Sequence, residues 1–155
     1  MKILSLDQST KITGYSIFQD NGKLEYGILE VNDNKELFLR MYEMTEQIKN
    51  LIINNNVDFV IFENVQFQQS QKTFQILSQL QGAIIRLLFE LSINFELVEP
   101  SKWKSYNKIQ GQKRAEQKLN TIKMVKNIYG IDVSEDVADS IGILRWAIVN
   151  VRLDI

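Results

Sequence analysis

The sequence predicts an α/β fold: a mixed five-stranded sheet, its first three strands antiparallel and its later ones parallel, with helices on both faces. Three observations carry this. The first thirty residues alternate apolar and polar side chains, as strands joined by short polar turns do. Beyond them, helical and strand-like periodicities take turns, the mark of parallel strands joined by helical crossovers. Finally, 155 residues with 45% hydrophobic content and no internal repeat or linker suit one domain, 1–155, with a core of its own.

The runs KILSLD, ITGYSIF and KLEYGILEV read as the three opening strands, and Asp20-Asn21-Gly22 supplies a turn between two of them. Leu37, Phe38, Met41, Met44, Ile48, Leu51 and Ile52 then recur at helical spacing over about 35–54, and Asn54-Asn55-Asn56 stops that helix. VDFVIFE is a short buried strand. The glutamine-rich stretch NVQFQQSQK leads into a second helix over about 73–91, whose apolar residues cover nearly its whole circumference. Such a helix is buried on more than one side, either within the core or against a second copy of the chain, with Leu80 and Ile84 as candidate contact positions. FELVE is the fifth strand, halted by Pro100, the only proline. A basic segment follows with a loop at Gly111, then a helix over about 113–129 that Gly130 ends. SEDVADSIGILRWAIVN closes the order β-β-β-α-β-α-β-α-α as a helix capped by Ser134, with Glu135 and Asp136 in its first turn.

Composition excludes several chemistries. The chain holds no cysteine, hence no disulfide scaffold, thiolate zinc site or thiol nucleophile. It holds no histidine either, which removes the Ser-His-Asp hydrolases and the commonest general base. No signal pattern opens it and no apolar run approaches a membrane span, so a cytoplasmic protein is expected.

Four acids stand out. Asp7 ends the first apolar run and Glu63 ends VDFVIFE; Asp136 and Asp139 lie three residues apart on one helix face. An acid at the end of a buried strand is costly to desolvate without positive charge nearby, and converging acids repel one another unless a cation joins them. With only oxygen ligands on offer, that cation is a hard one, Mg²⁺ or Mn²⁺ in its place. Two such ions held by four carboxylates fit phosphoryl chemistry. Glu135 is turned about 100° away from Asp136 around the helix and is the second choice.

The net charge of −1 hides a strong asymmetry. Between Pro100 and Lys126 stand Lys102, Lys104, Lys108, Lys113, Arg114, Lys118, Lys123 and Lys126 against the single acid Glu116, a local excess of +7. Local fields rather than totals decide anion binding. Trp103 and Tyr106 lie among these cations, which suits phosphate contact combined with stacking, although for Trp103 itself the core is the favoured place. Phe67, just past Glu63, either wedges between bases or begins the next helix.

Together, ILSLDQSTKITGYSIF, VIFENV, EPSKWKSYNKIQGQKRAEQK and EDVADSIGILRWAI resemble the RuvC family of Holliday-junction resolvases, within the RNase H-like nucleases, and the resemblance covers nearly the whole chain. It implies an RNase H-like sheet and a homodimeric, Mg²⁺-dependent endonuclease that cuts branched DNA. The family's metal-binding acids fall on Asp7, Glu63, Asp136 and Asp139. Its catalytic lysines fall on Lys104 and Lys118, with Lys102 and Lys113 as alternatives in the loop register. Its junction-probing phenylalanine falls on Gln66, with Phe67 one place later. Phe67, Lys102, Lys104, Lys108, Lys113, Arg114 and Lys118 are the expected DNA-binding residues. The small size and the many Asn, Ile and Lys residues resemble the phage-encoded members, which would act in a host cytoplasm. Two other readings use the same residues: a nuclease of RNA–DNA hybrids, and a non-catalytic junction-binding protein whose acids serve only as caps. A sugar-kinase-like ATPase, suggested by LDQSTKITGYS, would need two large lobes.

Overall fold

A computed structural model describes residues 1–151. It runs β1 (Lys2–Asp7), β2 (Ile12–Gln19), β3 (Leu24–Glu30), α1 (Leu37–Asn55), β4 (Phe59–Glu63), α2 (Gln71–Glu90), β5 (Asn94–Val98), α3 (Pro100–Tyr106), α4 (Arg114–Tyr129) and α5 (Glu135–Asn150). The sheet order is β3-β2-β1-β4-β5. β1, β2 and β3 pair antiparallel, whereas β4 lies parallel to both β1 and β5. This is the expected mixed sheet. Among the described residues no helix is long and apolar enough to cross a membrane.

The two-residue period of the strands sorts their side chains onto two faces. Leu4 and Leu6 of β1, with Val60 and Phe62 of β4, point to the side covered by Met44 and Ile48 of α1 and Leu80, Ile84 and Leu88 of α2. Ile3, Phe59 and Ile61 point the other way, onto Trp103 of α3 and Ile143, Leu144 and Ala147 of α5. Counting on by two from Ile3 and Ile61 brings Asp7 and Glu63 to that second side, under α5. A further apolar cluster joins Val125 of α4 to Val137, Ala138 and Ile141, fastening α4 outside α5.

Three details depart from the sequence reading. The basic segment is not all loop, because Pro100 opens the short helix α3 from its first position, where its missing N–H is no loss. Trp103 is its buried residue, 0% exposed, so truncating it to alanine would cost on the order of 3–5 kcal/mol. On α2, Leu80 and Ile84 face the chain's own core and are 0% exposed, which removes both as contact positions for a second copy. The outward stripe of α2 is instead Gln75, Gln79, Gly82 and Arg86, all exposed. The helix ends are as the sequence predicts: Asn56 and Gly130 cap α1 and α4 in the left-handed region, at φ 51° and 70°.

Candidate active site

β1 and β4 are parallel neighbours with Leu6 opposite Phe62, so Asp7 and Glu63, the next residue on each, end side by side at one edge of the sheet. α5 begins over the same edge, and Gly14 makes that close approach possible. It sits opposite Asp7 in the ladder, and a Cβ there would overlap the Asp136 carbonyl and lie 2.8 Å from the Val137 nitrogen. One turn further on, Ser5 Oγ donates to the Ser140 carbonyl at 2.6 Å and meets Ser16 Oγ at 2.6 Å. These buried hydroxyls pin α5 against β1 and β2. Ser134 caps the helix by accepting from the Val137 N–H. The result is that Asp136 and Asp139 stand over Asp7 and Glu63.

All four acids line one open cleft of about 440 Å³, together with Lys104, Arg114 and Lys118. The electrostatics record how close the acids are. Asp7 keeps some contact with solvent, yet burial pushes its carboxyl well above the usual range, and Asp139, Glu63 and Asp136 push it further, in that order, against the opposing pull of Lys118. Asp139 is pushed up to about 7 by burial and then by Glu63 and Asp136, with Lys104 and Lys118 opposing. Burial also raises Glu63, while the Trp103 N–H, Lys104 and Arg114 pull it down. Asp136 is raised by burial and by Glu135; Lys118 and a hydrogen bond with Asp7 oppose the rise. Among the described residues no three acids are arranged to hold a metal ion as they stand.

The bases at the rim have protein partners. Lys118 pairs with Glu135. Lys104 Nζ donates to Gln117 Oε1 at 3.1 Å and lies 5.5 Å from the centre of the Trp103 ring. Arg114 reaches Gln68 Oε1 at 3.5 Å. Lys102, Lys108 and Lys113 are exposed and lie outside the cleft wall. Phe67 also lies outside it, 61% exposed, with its ring edge-on to Phe74 at 5.8 Å.

Sequence reasoning missed several residues that shape this site. Trp103 is in the core, where the sequence favours it, but its role at the site was not legible: its indole N–H donates to Glu63 Oε2 at 2.7 Å. Gln8 Nε2 donates to the Glu63 main-chain carbonyl at 2.7 Å, while its Oε1 is buried without a partner. Glu99 accepts from Asn64 Nδ2 at 2.7 Å and from Gln66 Nε2, and Gln81 bonds both Asn64 Oδ1 and the Val65 N–H. This network holds the start of the loop that carries Phe67. A polar residue next to a strand-ending acid, as Gln8 is to Asp7, was the one signal available in the chain.

Comparison with known proteins points one way. The family model described as Lactococcus phage M3 protein matches residues 1–148. The crossover junction endodeoxyribonuclease RuvC of Aliarcobacter butzleri is 30% identical over 147 residues, 92% of this chain and 95% of its own. That of Dictyoglomus thermophilum is 28% identical over 92% of this chain and 93% of its own. Among solved structures, Thermus thermophilus RuvC in complex with a Holliday junction substrate superposes with a TM-score of 0.76 over 96% of this chain and 95% of that one, at 13% identity. The yeast mitochondrial Holliday junction resolvase Ydc2 does so at 0.59 and 17% identity, over 93% and 79%. At these identities the two structures speak to the fold, which is RNase H-like.

Proposed function

The chain belongs to the RuvC family of crossover junction endodeoxyribonucleases and to the phage family whose model it matches, and from that premise we propose that it is a structure-selective, divalent-metal-dependent endonuclease cutting Holliday junctions and other branched DNA. One observation carries the reading: four acids from β1, β4 and α5 meet in a single cleft whose rim is basic. A purely structural role leaves this costly arrangement unexplained, because helix capping needs neither Asp7 nor Glu63.

Asp7, Glu63, Asp136 and Asp139 would hold the metal. Their fit rests on the donor set, oxygen only, and on the mutual repulsion that raises Asp7 and Asp139. Mg²⁺, with Mn²⁺ able to substitute, would suit these ligands; bound there, it would supply charge neutralisation and an activated water for attack on the phosphodiester. Lys104 and Lys118, both in the cleft wall, bring positive charge to the phosphate as its own charge grows in the transition state. Releasing Lys118 from Glu135 frees it for that role. Arg114, with the exposed Lys102, Lys108 and Lys113, contacts the backbone of the DNA arms and sets register rather than sequence. Phe67 stands at the loop tip, where an apolar ring can enter an open junction. The enzyme works as a homodimer in the host cytoplasm, because a two-fold junction cut on two strands calls for two sites related by the same symmetry.

The test is a labelled four-way junction, a linear duplex and an RNA–DNA hybrid incubated with Mg²⁺, Mn²⁺ or EDTA and read on a denaturing gel. Paired incisions in the junction that need the metal are expected. Cutting of the hybrid alone would favour the ribonuclease reading, and metal-independent binding without cutting would favour a junction-binding protein.

A further inference from the structure

Trp103 is fully buried, yet its indole N–H points at the cleft and ends on Glu63 Oε2 at 2.7 Å. An indole offers one donor and no acceptor, so this contact takes up one acceptor site on Oε2 and fixes the carboxylate's orientation. Glu63 Oε1 accepts no protein hydrogen bond among the described residues. At its other end Glu63 is held by Gln8, whose amide donates to the main-chain carbonyl at 2.7 Å. Backbone and side chain are both fixed.

The ring itself is held in place by α5. A Cβ on Gly142 would come within 2.7 Å of Trp103 Cζ3 and 2.9 Å of Cε3, so the ring lies flush on the helix where the side chain is missing. Asn107 Nδ2 donates to the carbonyls of Trp103 and Gly142, at 2.7 Å and 2.8 Å, and tethers α3 to α5. Arg145 Nε donates to Asn107 Oδ1 at 2.9 Å and fixes that amide in turn. The helix that carries Asp136 and Asp139 therefore also sets where Glu63 points.

We propose that Trp103 is a positioning residue for Glu63, holding Oε2 so that the carboxylate keeps one orientation and its Oε1 is left free of protein donors for a divalent cation. The inference rests on the reading of Glu63 as a metal-holding acid. Because Trp103 and Lys104 are consecutive, α3 then delivers two parts of the site at once: one side chain buried behind Glu63, the next at the rim of the cleft. A tryptophan buried only for packing would give stability and leave the metal requirement alone. Partners behind a metal ligand typically matter by 10–100-fold in metal affinity or activity.

Trp103→Phe keeps most of the ring and removes the donor. In the full chain, the Mg²⁺ concentration giving half-maximal junction cleavage is expected to rise about tenfold or more, with junction binding in EDTA unchanged. A second readout needs no turnover. In metal-free protein labelled with ¹⁵N-tryptophan, the Trp103 indole N–H resonance, assigned with Trp146→Phe, should move upfield and exchange faster in Glu63→Ala. A wild-type Mg²⁺ requirement in folded Trp103→Phe overturns the proposal, as does an indole resonance that Glu63→Ala leaves unmoved. If Trp103→Phe does not fold, the resonance decides alone. Cleavage by Glu63→Ala at the wild-type rate would overturn the reading of Glu63 itself, so the two failures are separable.

Discussion

Replacing Asp139 with asparagine should make the metal-free protein more stable at alkaline pH, an unusual effect for a mutation at a functional site. In the fold the Asp139 carboxyl is pushed up to about 7 by burial and by Glu63. In the unfolded chain it has the ordinary value near 3.9. The native state thus binds a proton that the unfolded state has lost, and stability falls as pH rises from about 4 to about 7. A separation of about three units corresponds to about 4 kcal/mol when fully developed, of which about 3 kcal/mol develops between pH 5 and pH 8. Asp7 is raised as well and adds to the slope in the same direction. Asparagine keeps the shape and removes the charge, so Asp139→Asn should lose this part of the decline and also relieve Asp7. Urea unfolding in EDTA at several pH values reads it directly. Wild type and mutant should converge near pH 4 and separate by up to several kcal/mol at pH 8, and millimolar Mg²⁺ should stabilise the wild type more than the mutant. Parallel stability curves from pH 5 to pH 8 would refute the argument, because neither burial nor the neighbouring acids would then be holding a proton on Asp139 in the fold.

Other outcomes follow from the same geometry. Asp7→Asn should abolish cleavage while junction binding stays intact or tightens, since a negative charge near phosphate is removed; cutting at near the wild-type rate would exclude Asp7 as a ligand. Lys104→Ala and Lys118→Ala should each weaken binding to all sequences and reduce the slope of log affinity against log salt by about 1, as measured by fluorescence anisotropy. Gly14→Ala forces a methyl into the Asp136 carbonyl, so thermal unfolding should show a loss of about 1–3 kcal/mol together with impaired cleavage. Sedimentation at micromolar concentration should give a dimer; a strict monomer, both free and on a junction, would sink the paired-cut proposal and leave the nuclease standing.

The positions of the acids were legible in the sequence because they follow from periodicity. A strand turns every second residue to the same face, so Asp7 and Glu63 share a side with Ile3 and Ile61, and the spacing of Asp136 and Asp139 puts both on one face of α5. The final helix was legible for the same reason, with its cap at Ser134. α2 was harder to read. Its apolar residues were countable, but which of them face the core depends on a neighbouring sheet that a helical wheel does not show. Leu80 and Ile84 proved to be inward, and the exposed stripe proved to hold Gln75, Gln79, Gly82 and Arg86, with Phe89 exposed near its end.

Apart from the Ser134 cap, what holds the acids in place was illegible for a different reason: the contacts join residues far apart in the chain. Glu63 and Trp103 are separated by 40 positions, Ser5 and Ser140 by 135. α3 was overlooked because its dense cations mimic a solvated loop, whereas helix initiation there depends on Pro100 and on a tryptophan whose pocket is emptied by Gly142 on another helix. The same trait explains why a cleft of repelling acids is tolerated at all. The carboxylates themselves oppose folding in the absence of a cation, so their placement has to be enforced from outside the cleft. The serines under α5 and the missing side chain at Gly14 do this with close packing and neutral hydrogen bonds, which do not weaken with salt as ion pairs do, and the indole behind Glu63 adds a donor that favours the ionised carboxylate. A site built in this way holds its acids in one cleft against their mutual repulsion, and a divalent cation bound there would relieve that repulsion.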